Sequence, residues 1–213
     1  GEHVAASNQK RRAHAGDASQ QAAASALAAG TQCHQAGDLA AAEAYYRQAL
    51  SVIPDLPDAL QLLGVARHQQ GHSSEALELL ERAKALAPHN PNTRINLGSV
   101  LNALQRHKEA AQEFRAALTL DPRNAEIWCN LGIALRSEHR NQEAVEAFER
   151  AIKLAPKSPL PQRELANLLL AERDYAKCEA VYRPYVDLVP QDAAALSNLA
   201  YAVQCQEIGR AHV

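Results

Sequence analysis

Nine histidines and four cysteines are the residues of this 213-residue chain with the most potential for chemistry. His68 and His72 are four apart, but Gly71 lies between them. His34 and His68 are 34 apart, with no carboxylate in matching register. Zinc needs four convergent ligands, or three and an open position. The expectation is therefore surface histidines and no metal site. Cys33, Cys129, Cys178 and Cys205 are widely spaced and form no C-x-x-C pair. That excludes a zinc framework or a disulfide scaffold. Cys33 and Cys178 are expected to pack as small hydrophobes, with Cys129 and Cys205 more exposed. No Gly-rich phosphate loop, G-x-S-x-G or H-E-x-x-H occurs. The reading is a chain without catalytic residues, metal or cofactor.

Composition narrows the class further. The formal charge is −2, with 47% hydrophobic and 4% aromatic residues, so the core must be built from Ala, Leu, Ile and Val. Without a basic excess to neutralise phosphates, a nucleic-acid partner is not expected. No apolar run reaches the length of a bilayer span, so membrane insertion is not expected. The basic cluster near the N-terminus is not followed directly by an apolar stretch, unlike a secretory signal. A reducing, cytoplasmic compartment is the default. The chain has no Met, which suggests processing or a longer parent.

The elements that must position any functional residue follow a period of 34. Pro54, Pro88, Pro122, Pro156 and Pro190 keep this spacing. Gly30, Gly64, Gly98 and Gly132 do too, as do Ala42, Ala76, Ala110, Ala144 and then Cys178. Ala49, Ala83, Ala117 and Ala151 form a further column, and Tyr46, Leu80, Phe114, Phe148 and Tyr182 a large apolar one. Each period reads as helix A, a turn and helix B. The small columns permit close helix packing, and the large column fills the gap beside them. Pro ends helix B. Asn90, Asn124, Ser158 and Asp192 precede the helix A starts and are expected to cap them, each contributing roughly 1 kcal/mol. Pro184, inside the fifth helix B, predicts a kink or early break.

This pattern resembles the tetratricopeptide repeat over about residues 23–205. Trp128, Leu131, Gly132, Ala144, Phe148, Ala151 and Pro156 carry it most fully. The resemblance implies an all-α, right-handed α-solenoid of five helix-turn-helix repeats: 23–56, 57–90, 91–124, 125–158 and 159–192. A sixth terminal helix follows at 193–206. Residues 1–17 read as a disordered basic tail, and 207–213 as a C-terminal tail. The superhelix would thus cover 18–206.

In this family helix A lines a concave groove. The matching positions give Asn96, Asn130 and Asn198, with Glu164 interrupting the same column. They also give His68, Asn102, Arg136, Arg163 and Asn167. An Asn amide offers both acceptor and donors, so it can hold the C=O and N–H of an extended peptide. Asn96 and Asn130 would form a short ladder, similar to that of O-linked N-acetylglucosamine transferases. Arg163, Asn167 and Asn198 would fit part of a carboxylate clamp, or a weaker anionic pocket with Arg136. Leu62, Val65, Ile95, Ile133, Leu170 and Tyr201 suit apolar peptide side chains or a partner helix. The leading expectation is a protein–protein interaction module binding a peptide or protein in the groove. The alternatives are the substrate-recruiting region of a larger enzyme such as a protein O-glycosyltransferase, and a scaffold that forms homo-oligomers through its end helix.

Overall fold

The computed structural model describes residues 2–211, and side chains at residue 9 and at 14–211. Residues 1, 212 and 213, the outermost positions of the two expected tails, lie outside the described residues. Among those described there are eleven helices and no strand. No helix is long and apolar enough to cross a membrane. The chain is an all-α solenoid of helix pairs, and it divides into two units, Gly1–Leu104 and Gln105–Val213.

The first unit holds α1 (Glu2–Gln35), α2 (Leu39–Val52), α3 (Pro57–Gln69), α4 (Ser73–Leu86) and α5 (Pro91–Ala103). α1 packs on α2 and α3 on α4, with α2 against α3 and α4 against α5. The small column makes this close approach possible. A Cβ at Gly30 would stand 2.6 Å from the Tyr46 ring, and one at Gly64 2.8 Å from Leu80 Cγ. An ion network ties three helices across the outside. Arg47 bonds Glu43 at 2.9 Å and Glu75 at 2.7 Å, and Arg67 bonds Glu75 at 2.7 Å and Glu43 at 3.1 Å.

The second unit holds α6 (His107–Leu120), α7 (Ala125–Ser137), α8 (Asn141–Leu154), α9 (Pro159–Ala171), α10 (Tyr175–Leu188) and α11 (Ala193–Ala211). Its pairs are α7 with α8 and α9 with α10, and α11 lies on α10 and α9. A Cβ at Gly132 would sit 2.6 Å from the Phe148 ring. In α9 the same column is Ala166, and the Cys178 thiol of α10 donates to its carbonyl at 3.4 Å. Every residue of the helix B columns read from the sequence is buried, Tyr185 included.

Five reversals from helix A to helix B share one device. The residue at the bend has positive φ: Gly37, Gly71, Gln105, His139 and Arg173. Two are glycine, which adopts this conformation without a Cβ penalty; the other three accept roughly 1 kcal/mol of strain each. The bend satisfies the last helix A carbonyls: His139 N–H bonds Arg136 O at 2.9 Å and Arg140 N–H bonds Leu135 O at 3.0 Å.

Several expectations are corrected. The segment at 2–17, read as a disordered tail, is the start of α1; it is Ala-rich and free of Pro, so helix propensity favours continuation. The end helix runs to Ala211 rather than stopping at 206. Pro184 does not break α10, which spans 14 residues like α8. Pro184 and Ala180, whose carbonyl loses its helical partner, are both exposed, so that carbonyl is not sealed in the core. Asn90, Asn124 and Asp192 cap as expected, accepting from Asn92 N–H at 3.0 Å, Glu126 N–H at 3.1 Å and Ala195 N–H at 3.1 Å. Ser158 does not cap α9. Pro159 and Pro161 remove the first and third N–H groups, leaving a single nearby donor at Leu160.

Candidate functional site

The helix A face carries the candidate residues, and in the second unit it is formed by α7, α9 and α11. Asn130, near the middle of α7, is half-buried and makes no hydrogen bond among the described residues. Beside it opens a cleft of about 350 Å³, lined by Ala125, Glu126, Cys129, Asn130, Ala155, Ser158, Leu160 and Pro161. Its wall is mostly apolar, and the Asn130 amide and the Ser158 hydroxyl are its uncharged donors and acceptors. Cys129, expected to be exposed, is buried in this wall, and burial pushes its thiol up to about 12. It is therefore an inert packing group. Cys178 is buried as expected, its thiol pushed up by burial to about 11.

Arg136 and Glu164 form a short ion pair between α7 and α9. Arg163 lies 3.7 Å from the other oxygen of Glu164. The residue that interrupts the Asn column thus neutralises the cation expected to attract an anion. Arg136 and Arg163 come together with Glu164 and do not form an unpaired basic pocket.

Asn167 on α9 and Asn198 on α11 are joined through α10. The Tyr182 hydroxyl donates to Asn167 Oδ1 and accepts from Asn198 Nδ2 at 3.1 Å. Burial raises the pKa of this phenol, so it stays protonated through the physiological range. The link leaves Asn167 with its amide donors and Asn198 with its carbonyl acceptor. Three residues further along α10, the Tyr185 hydroxyl donates to Asp192 Oδ2 at 2.6 Å. The sequence columns placed Tyr182 in the large apolar position and missed its hydroxyl. The signal was present, since only Tyr can fill the large column and also deliver a polar tip.

In the first unit the face is formed by α1, α3 and α5. Asn96 is half-buried on α5 and makes no hydrogen bond within its unit, and Asn102 is half-buried one further turn and a half along. His68 is held by Ser73, Nδ1 to Oγ at 2.9 Å. His34 Nε2 lies 2.8 Å from Gln69 Oε1, and its Nδ1 3.2 Å from the buried Tyr46 hydroxyl. With Gln69 accepting from Nε2–H, the ring accepts from the phenol. Gln61 Oε1 accepts from Thr93 at 2.5 Å and from Asn90 at 3.1 Å, closing the face between α3 and α5. Among the described residues no group of three or more His, Cys, Asp or Glu could hold a metal ion.

Comparison with known proteins agrees with this architecture. No curated protein matches the chain in sequence. Solved structures match along most of it. One is pilF of Pseudomonas aeruginosa, at 26% identity and TM-score 0.80, covering 89% of this chain and 86% of that one. A second is MamA from Desulfovibrio magneticus RS-1, at 20% identity and TM-score 0.73, covering 80% and 97%. A third is YrrB, described as a TPR protein with an unusual peptide-binding site, at 20% identity and TM-score 0.68, covering 81% and 89%. Two family models described as tetratricopeptide repeat match residues 95–159 in one case and residues 34–94 and 135–200 in the other. The columns, the helix pairs and these matches together place the chain in the tetratricopeptide repeat family.

Proposed function

We propose that the protein is a non-catalytic interaction module whose helix A face holds an extended segment of a partner protein. The observation that carries this reading is the unbonded Asn130 amide beside a mostly apolar cleft of about 350 Å³. A half-buried amide without a partner forgoes roughly 1 kcal/mol that a ligand's peptide group would return. Asn96 presents the same unbonded amide in the first unit. Asn167 and Asn198 supply a donor and an acceptor already oriented by Tyr182, and Arg163 flanks them. Asn102, His68 and Arg136 serve as wall residues, the last two held by Ser73 and Glu164. Gripping backbone gives broad selectivity, and the cleft adds a preference for apolar side chains. The peptide-binding description of the similar YrrB supports the class of ligand.

The test is affinity capture with the parent chain and with an Asn96→Ala/Asn130→Ala variant, followed by mass spectrometry. Proteins retained by the parent and lost from the variant, at thermal stability within about 0.5 kcal/mol, support the proposal. An identical retained set from both removes these residues from function.

A further inference from the structure

The cleft between α7 and α9 is lined by three polar side chains, and none of them has a partner among the described residues. Asn130 is the first. Ser158 is the second. Its column otherwise caps helices: Asn124 accepts from Glu126 N–H and Asp192 from Ala195 N–H. Ser158 caps nothing and lines the cleft instead. The third is Glu126, exposed in the first turn of α7, whose carboxylate makes no hydrogen bond or ion pair.

Glu126 keeps its charge while the carboxylates on the following helices spend theirs. Glu164 pairs with Arg136 and lies 3.7 Å from Arg163. Asp192 accepts from the Tyr185 hydroxyl at 2.6 Å and from the Ala195 amide at 3.1 Å. Nor do nearby cations cancel Glu126. Arg136 stands ten residues further along α7. That is about 15 Å of helical rise, beyond a screening length of about 8 Å in physiological salt. Arg163 shares Glu164. Arg123 and Lys157, in the bends before α7 and α9, do not line the cleft.

An apolar wall with a carboxylate at its rim suits one kind of side chain. A purely aliphatic one would fill the wall but strip water from Glu126 and Ser158 without replacing its hydrogen bonds, which is costly. A lysine or arginine lays its methylene stem along the same wall and keeps a cationic tip at the rim, where the carboxylate and the hydroxyl accept. The Asn130 amide is left for the ligand's backbone.

We infer that this cleft is a subsite for a lysine or arginine of the bound segment, its stem against Cys129, Leu160 and Pro161 and its tip on Glu126 and Ser158. The inference rests on the peptide reading above and narrows the apolar side chain admitted there to one with a positive tip.

The test is an array of immobilised decapeptides of random composition. It is probed with the labelled full chain as parent and as Asn130→Ala, Glu126→Gln, Glu126→Lys and Glu149→Lys variants. Glu149 is exposed on α8 and outside the cleft, so its reversal makes the same charge change elsewhere. Peptides bound by the parent and lost from Asn130→Ala are expected to be enriched in Lys and Arg. Glu126→Gln should weaken these basic peptides about threefold, the size of an exposed ion pair. Glu126→Lys should turn the preference to Asp and Glu, and Glu149→Lys should leave it in place. Three results overturn the subsite and leave the backbone grip standing: Asn130-dependent peptides without basic enrichment, an enrichment that survives Glu126→Lys, or one that Glu149→Lys removes equally. No Asn130-dependent peptide at all removes the grip, and the subsite with it.

Discussion

Two neighbouring repeats of the second unit solve the same packing problem with different chemistry. In α7 and α8 the pair is Gly132 and Phe148; in α9 and α10 it is Ala166 and Tyr182. Phe148 ends in the core and offers nothing beyond it. Tyr182 fills the same position and pushes a hydroxyl through to the helix A face, where it holds Asn167 and Asn198. The first repeat makes the Tyr choice again, with Tyr46 against His34. A single atom in the large column thus decides whether the candidate binding face is pre-organised or left open. Asn130 stands 16 residues after Phe114 as Asn198 does after Tyr182, and without a hydroxyl there it is unbonded beside its cleft; Asn167 and Asn198, beside Tyr182, are oriented.

If the columns do the packing, the largest effect belongs to the large column itself. Phe148→Ala should destabilise the chain by about 4 kcal/mol, since it empties a fully buried site against Gly132, which cannot fill it. Chemical denaturation checks this, and a loss below about 1 kcal/mol would mean the site collapses freely. Tyr182→Phe keeps the packing and removes only the hydroxyl. A cost of about 1 kcal/mol is expected, together with weaker capture of any ligand that uses Asn167 or Asn198. An unchanged ligand set would confine the hydroxyl to stability.

A smaller difference lies in the caps. α7 starts at Asn124, which does not titrate, and α11 starts at Asp192. Hydrogen bonds from Tyr185 and from the Ala195 amide hold Asp192 below its ordinary 3.8. A depressed carboxylate stabilises above its unfolded pKa and loses that contribution as pH falls through the folded one. Hydrogen exchange below pH 3.8 should therefore release Ala195 N–H while Glu126 N–H stays protected. Simultaneous release would show that the two caps fail for a common reason.

The fold was legible because close packing leaves a record at fixed spacing: only small residues tolerate the approach at Gly30, Gly64 and Gly132, and Pro marks each helix B end. The site was legible less far. Helix A positions could be placed by register, but register carries no partner information. Arg136 and Glu164 are 28 residues apart on different helices, so their pairing follows from packing rather than from local sequence. The bend residues Gln105, His139 and Arg173 adopt positive φ because the tertiary reversal imposes it, against their own preference. Pro184 was misread for a related reason. Buried Tyr182 and Tyr185 on either side anchor α10 strongly enough to absorb one lost hydrogen bond.

The most direct test of the account places a photo-crosslinking side chain at Asn130, on the helix A face, and at Arg150, which lies over the Trp128 ring on the opposite side of α7, in two otherwise identical proteins. Irradiation in the presence of the captured partner is predicted to join it to the residue 130 variant and not to the residue 150 variant. Crosslinking at 150 with none at 130 would contradict the account, moving partner recognition to the face that carries Trp128.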